Sequence, residues 1–433
     1  MYDLFKLNNE LRVVVENIDY VNSVSVGLWV ENGSRNEDIK NNGISHFIEH
    51  MFFKGTQKRN SKEIVECIEN VGGQINAFTG KEATCFYIKT LDSHLELSLE
   101  LLSDMLFNSK FDAEDIEKEK SIVISEINMT EDSPEDVLAD LHSEAIYGKD
   151  SLSLPILGTE DTVNSFDRDQ VKDYIQQHYI PRNSVISISG KFDMKNIGVL
   201  VEKYFGKWKN HDIHKTNYSS PLMFNNHLFK KKSIEQLHMS LGLTGVETGS
   251  KDFFPLLLVN NFLGGGAASV LFQKIREEKG LCYSIYSYMA CHKNTGATCI
   301  YTALQPEYAV EAINTIEEEI SLLVKKGISQ ERIQIGKEQL KGNYILGLES
   351  TSSRMFSNGK AVLFLNRINT PEYIIQEIDS INYDRIMDVI DKTLGKGIIN
   401  SAYVGEALDI ENIKKILSKE NYAFTSHGKS TLV

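Results

Sequence analysis

Three residues of one short segment can do chemistry together: the two imidazoles and the carboxylate of His46-Phe47-Ile48-Glu49-His50. On a helix, at about 100° per residue, His46 and His50 stand roughly 40° apart, and Glu49 lies close to the same face. Two neutral imidazole nitrogens at i and i+4 suit one Zn²⁺, and the carboxylate between them can reach a water in the metal's open position. The same histidines would also serve as a half-buried polar helix face satisfied by hydrogen bonds. A catalytic zinc takes three protein ligands, so another donor must come from elsewhere in the chain. Glu119 and Glu126 are seven residues apart, two turns of one helix, with apolar Ile122 and Val123 between them. A glutamate on such a stripe is costly to bury unless paired or metal-bound, although spacing alone also fits a solvated carboxylate.

The elements that must position these groups read as follows. Leu11–Val15 and Val21–Val30 are strands, the latter with Val24, Val26 and Leu28 at period two. Gly33-Ser34 closes the second strand, and the motif helix starts near Ser45. A helix over Ser61–Val71 stops at Gly72-Gly73. A strand pair over Gln74–Thr90 breaks near Gly80, and amphipathic helices over Ser93–Ser109 and Asp112–Met129 follow. From about Leu228 the order recurs: strand Leu237–Leu243, helix Phe253–Leu263, Gly264-Gly265-Gly266 and a helix through Arg276. Strands near Tyr283–Met289 and Ala297–Leu304 and helices Glu307–Lys325 and Ser329–Leu346 complete the parallel. Leu91 pairs with Leu304 and Asp112 with Ser329, offsets of 213 and 217 residues, which marks a duplicated fold. On that register Glu126 meets Asn343 and the motif helix meets Leu257–Asn261, so the second half keeps the scaffold without the ligands. The expected class is α+β, with two similar halves, each a mostly antiparallel sheet with helices packed on it. The first half spans residues 1–210, a polar linker 211–227 and the second half 228–433.

The 433 residues are 41% hydrophobic and 24% charged, ordinary for a globular chain with room for two domains. A net charge of −14 argues against nucleic acid as a partner and suits basic peptides. No run of 18 apolar residues exists, so no membrane span is expected. Met1-Tyr2-Asp3-Leu4-Phe5-Lys6 lacks a basic segment followed by an apolar stretch, which sets the expected location as cytoplasmic. The five cysteines form no Cys-x-x-Cys pair and read as reduced thiols, neither a disulfide framework nor a metal site. Gly264-Gly265-Gly266 is not followed by Gly-Lys-Ser/Thr, so it reads as a bend and not a phosphate loop.

With these residues in view, the chain resembles the pitrilysin/insulinase family of inverted zincins. It is most similar to the branch of the mitochondrial processing peptidase and its bacterial relatives. The resemblance is carried by His46-x-x-Glu49-His50 with Glu126 at close to the family's spacing. It extends through Gly72-Gly73-Gln74-Ile75-Asn76-Ala77-Phe78-Thr79, Tyr179-Ile180-Pro181-Arg182-Asn183 and Leu271-Phe272-Gln273-Lys274-Ile275-Arg276-Glu277-Glu278. It implies His46, His50 and Glu126 as ligands of one zinc per chain, Glu49 as the base and Glu119 as a supporting carboxylate. It also implies that Asn76, Ala77 and Phe78 form an edge strand receiving peptide substrate by strand addition. Arg276 and Tyr283 become donors to a carbonyl oxygen gaining negative charge. Without the resemblance, that pair reads as a helix-end arginine and a core tyrosine. The activity implied is a zinc endopeptidase cutting short or unfolded peptides inside a clamshell of two halves, assembled as a homodimer. At Ala267-Ala268-Ser269-Val270 the chain departs from its relatives, which have small hydroxyl residues and an arginine there. Two other readings compete: a non-catalytic structural or substrate-recognition subunit of the same family, and a peptide-binding module with structural zinc.

Overall fold

Two sheets of nearly one plan organise the chain in the computed structural model, which describes residues 1–211, 218 and 220–420. The strands are β1 (Tyr2–Lys6), β2 (Arg12–Asn17), β3 (Ser23–Val30), β4 (Gln74–Thr79), β5 (Thr84–Leu91), β6 (Ser184–Gly190), β7 (His227–Lys231), β8 (Leu237–Thr244), β9 (Cys282–His292), β10 (Thr295–Leu304) and β11 (Asn400–Gly405). The helices are α1 (Ile44–Phe52), α2 (Ser61–Glu69), α3 (Leu95–Asn108), α4 (Ala113–Asp132), α5 (Pro134–Tyr147), α6 (Glu160–Ser165), α7 (Arg168–His178), α8 (Ile197–Phe205), α9 (Phe253–Gly264), α10 (Ala309–Lys326), α11 (Gln330–Gly347), α12 (Thr351–Leu365), α13 (Pro371–Asp379), α14 (Tyr383–Leu394) and α15 (Ile410–Glu420). A π-helical stretch, Phe272–Glu278, precedes β9. Residues 212–217 and 219 of the expected linker lie outside the described residues, and β7 begins at its last residue, His227.

The first sheet runs β1-β2-β6-β3-β5-β4 and the second β7-β11-β8-β10-β9. In each, one pair is parallel, β2 with β6 and β7 with β11, and the other pairs are antiparallel. The α+β duplication is therefore present, strand for strand, with β1 added to the first sheet. The register differs from the sequence alignment by one residue. Tyr87 pairs with Gly27 and Asn76 as Tyr301 pairs with Ser240 and Tyr286, and both tyrosines share a face with a covering helix. That shift is 214 residues, not the 213 that joins Leu91 to Leu304. Side chains alternate along a strand, so one residue changes the face: Leu91 is exposed and Leu304 is buried in the core.

Helix exchange decides the compact units. The helix covering the outer face of the first sheet is α12, from the C-terminal half of the sequence. Arg12 on β2 donates from Nη1 to the carbonyls of Val362 (2.9 Å) and Leu363 (3.2 Å) in its last turn. There a guanidinium gives the Leu363 carbonyl a donor, adds a second to the Val362 carbonyl that already accepts from the Asn366 N–H, and complements the negative end of the helix. Glu16 accepts from Asn358 Nδ2 (2.8 Å) and pairs with Arg354. Reciprocally, α5 from the N-terminal half covers the second sheet. Its buried His142 bonds Ser240 Oγ through Nδ1 (2.7 Å) and Asn400 Oδ1 through Nε2 (3.1 Å). The first unit thus comprises residues 1–129, 154–217 and 344–371, and the second comprises 130–153, 218–343 and 372–433. These are not the contiguous segments 1–210 and 228–433 expected from the sequence. The two repeats contribute equivalent helices, and each covers the sheet of the other repeat.

In the first unit, α1 buries Ile44, Phe47, Ile48, Met51 and Phe52, spaced as a helical stripe, against Val24, Val26 and Leu28 of β3 and Phe86 and Ile88 of β5. This burial turns the opposite stripe of α1, which carries the histidines, away from the core.

Candidate metal centre

The start of α1 is fixed by a remote carboxylate. Gly43, at φ +94°, is the residue before the helix, and a Cβ there would come 2.6 Å from the Leu157 carbonyl oxygen. Glycine is required, and it offers no capping side chain. Glu37 supplies the missing acceptor: its Oε2 takes the Gly43 N–H (2.7 Å) and Asn42 Nδ2 (2.9 Å), and its Oε1 takes the Ser45 N–H (2.8 Å). A carboxylate at a helix N-terminus is favourable, although burial raises the Glu37 pKa. Behind α1, Ser45 Oγ, Tyr174 Oη and Asn32 form a buried hydrogen-bonded triangle.

Across from α1, helix α4 brings Glu119 and Glu126 to the two histidines. Glu126 Oε2 is 3.7 Å from His46 Nε2 and 3.5 Å from His50 Nε2. Among the described residues these three are the group whose donor atoms all lie within 4.8 Å of one another. Donors about 2.0–2.1 Å from a tetrahedral zinc stand roughly 3.4 Å apart, so the spacing and the N,N,O chemistry fit that ion. Three protein donors leave a fourth position open, the pattern of catalytic rather than structural sites. The two glutamates differ: Glu119 is 3% exposed and Glu126 42%. Of the residues expected between them on the inward stripe, Val123 is buried but Ile122 faces solvent.

Glu119 Oε1 bonds His50 Nδ1 at 2.8 Å, and its Oε2 pairs with Lys54 Nζ at 2.5 Å. An Nδ1–H held by a carboxylate leaves Nε2 free to face Glu126 and a cation. Among the described residues His46 Nδ1 has no hydrogen-bond partner, and the ring is fixed by packing. Burial, helped by the nearby His50 charge, lowers the His46 pKa to about 3, which keeps this imidazole neutral. Burial also acts on His50, but the Glu119 hydrogen bond and the charges of Glu119, Glu126 and Glu49 outweigh it and raise the pKa. Glu119 is pushed up by burial yet ends below its ordinary value because His50 and Lys54 hold it ionised. Glu49 is raised by burial, in spite of the Thr79 hydroxyl donating to its Oε2 at 2.5 Å.

Thr79 ends β4, the edge strand that carries Asn76, Ala77 and Phe78. Phe78 sits edge-on to Trp29 (5.6 Å between centroids), and Asn76 Oδ1 accepts from the Ala77 N–H at 2.8 Å. Arg276 and Tyr283 belong to the second unit, where the guanidinium lies 4.7 Å from the centre of the tyrosine ring. Tyr283 is exposed and not the core tyrosine that spacing alone suggests. Lys54, Thr79 and Glu37 are the groups of this site that motif reading missed. Lys54 stands four residues after His50 and Thr79 closes the Gly72–Thr79 stretch, but nothing in their spacing names their partners.

A two-sheet α+β scaffold with an His,His,Glu donor set beside a half-buried glutamate has the features of a metallopeptidase class. Residues 12–160 match the family described as insulinase (peptidase family M16), and residues 165–340 match the description peptidase M16 inactive domain. A protein named uncharacterized zinc protease YmxG, of Bacillus subtilis, is 42% identical over 386 residues, covering 89% of this chain and 94% of its own. A Mycobacterium leprae protein also named an uncharacterized zinc protease is 33% identical over 418 residues, covering 95% of this chain and 92% of its own. In fold, the crystal structure of a Helicobacter pylori protease superposes with a TM-score of 0.86 at 21% identity, over 94% of this chain and 99% of that one. The chain belongs to the insulinase (peptidase M16) family. The segment matched as inactive includes Leu257–Asn261, where the first repeat has its histidines. Among the described residues no helix is long and apolar enough to cross a membrane.

Proposed function

We propose that this chain is a zinc-dependent endopeptidase for short or unfolded peptides, with His46, His50 and Glu126 holding one zinc per chain. The observation that carries the reading is the convergence of those three donor atoms beside Glu49. Zinc, when bound, would polarise the scissile carbonyl and acidify a water in its open position. The chain's own groups do the rest. Glu49, half-buried and held by Thr79, takes a proton from the attacking water and returns it to the leaving amine. Glu119 keeps His50 in the tautomer that presents Nε2. The free edge of β4 pairs with the peptide backbone, which favours extended segments over folded ones. Arg276 and Tyr283 donate to the carbonyl oxygen as it gains charge. The family's homodimeric assembly is part of the proposal, and sedimentation reads it directly.

The test combines elemental analysis of the purified chain with cleavage of a quenched fluorescent peptide, with and without chelator. Glu49→Gln should retain zinc and lose about 10²–10⁴-fold in kcat, the range for a general base. Full activity in that variant overturns the assignment of the base. Zinc binding without any cleavage by the natural sequence would favour the non-catalytic subunit.

A further inference from the structure

We propose that Lys54 is a positioning residue for the metal centre: through the second oxygen of Glu119 it locks the carboxylate that orients His50. The inference rests on the zinc reading above and extends it to a residue outside the His-x-x-Glu-His motif. The geometry is a relay of three groups. His50 Nδ1 lies 2.8 Å from Glu119 Oε1, and Lys54 Nζ lies 2.5 Å from Glu119 Oε2. Each carboxylate oxygen therefore has its own partner, and both partners come from one short stretch of chain, at the end of α1 and just beyond it.

The arrangement matters because Glu119 is only 3% exposed. With His50 as its sole partner, a buried carboxylate would keep one oxygen unsatisfied and could rotate about its terminal torsions. With both oxygens engaged, the plane of the carboxylate is set, and with it the plane of the His50 imidazole. His50 Nε2 is then aimed toward Glu126 Oε2, 3.5 Å away. Lys54 also lies near the C-terminus of α1, where any cation adds modestly to helix stability. That ordinary role predicts a change in stability alone. The positioning role predicts a change in zinc affinity that requires Glu119.

The experiment measures zinc affinity of the metal-stripped full chain by competition with a chromophoric chelator. The proteins compared are the natural sequence, Lys54→Met, Lys54→Arg, Glu119→Gln and the Glu119→Gln/Lys54→Met double variant, with thermal unfolding of each apo form. Lys54→Met should weaken zinc binding about 10-fold or more, within the 10–100-fold that outer partners of metal ligands contribute. Lys54→Arg should restore affinity to within about threefold, since it keeps a charged donor. In the Glu119→Gln background, Lys54→Met should add nothing further. Unchanged affinity in Lys54→Met overturns the proposal, as does an equal loss in both backgrounds. Should Lys54→Met fail to fold, Lys54→Gln enters the same comparison under the same criteria. Absence of zinc binding by the natural sequence sinks the zinc reading itself, and is distinguished because it appears before any variant is compared.

Discussion

Acid should loosen the exchanged helix α5 from the second sheet, and His142 sets how much. Its ring is 2% exposed and neutral, bonded to Ser240 and Asn400, and burial lowers its pKa from 6.5 to about 4. The unfolded chain binds a proton near pH 6.5 that the folded chain refuses until about pH 4. Stability contributed by the neutral ring is therefore complete above pH 6.5 and lost progressively as pH falls toward 4. The gap is about 2.5 pH units, or roughly 3.4 kcal/mol at 1.36 kcal/mol per unit. At pH 5 about 2 kcal/mol of this is already gone. Both tryptophans, Trp29 and Trp208, lie in the first unit, so their fluorescence does not report on this contact. Hydrogen exchange of peptides from α5 and β11, corrected for the intrinsic pH dependence of exchange, reads the opening free energy where it matters. His142→Gln keeps an amide donor and acceptor but cannot titrate. The advantage of the natural sequence over this variant should shrink by about 2 kcal/mol between pH 7.5 and pH 5. Parallel pH curves for the two proteins would refute the assignment, because a ring that titrates alike in both states contributes no pH dependence.

Removal of a proposed ligand, in Glu126→Ala, should cost more zinc affinity than the roughly 10–100-fold typical of outer partners, checked by competition with a chelator. Phe52→Ala removes a ring, 1% exposed, that packs on Phe86, Phe111 and Tyr179 at centroid distances of 5.1–5.5 Å. It should destabilise the first unit by about 3–5 kcal/mol in urea unfolding followed by tryptophan fluorescence. Arg12→Met strands the Leu363 carbonyl at the end of α12, while the Val362 carbonyl keeps the Asn366 N–H, and should cost about 1–3 kcal/mol by the same measurement. Glu37→Ala leaves the N–H groups of Gly43 and Ser45 without their acceptor, for about 1–3 kcal/mol, with faster hydrogen exchange in the first turn of α1.

The local parts of the site were legible because they depend on short-range periodicity. The stripe at residues 44, 47, 48, 51 and 52 dictates which face of α1 is buried, and the two histidines follow on the other. The seven-residue interval likewise places Glu119 and Glu126 on one face of α4. Sequence spacing could not say which of the two would meet both imidazoles. Helix packing decided that, putting Glu126 Oε2 against both Nε2 atoms and Glu119 behind His50. The strand duplication was legible too, except for the one-residue register between Leu91 and Leu304. Backbone pairing and the covering helices set that register, and two apolar residues of one type carry no mark of it.

What the sequence determined by itself is thus the set of elements, their doubling, and a helix presenting two imidazoles and a carboxylate. These follow from alternation, helical period and side-chain chemistry within stretches of a few turns. Tertiary structure alone decided that α12 covers the first sheet and α5 the second. The repeats contribute equivalent helices, and helical period does not distinguish a helix's own sheet from its twin's. Contacts between residues hundreds apart, such as Arg12 with Val362 and His142 with Asn400, make that choice. The same long-range packing brings α4 to α1 and so turns a motif into a candidate metal centre.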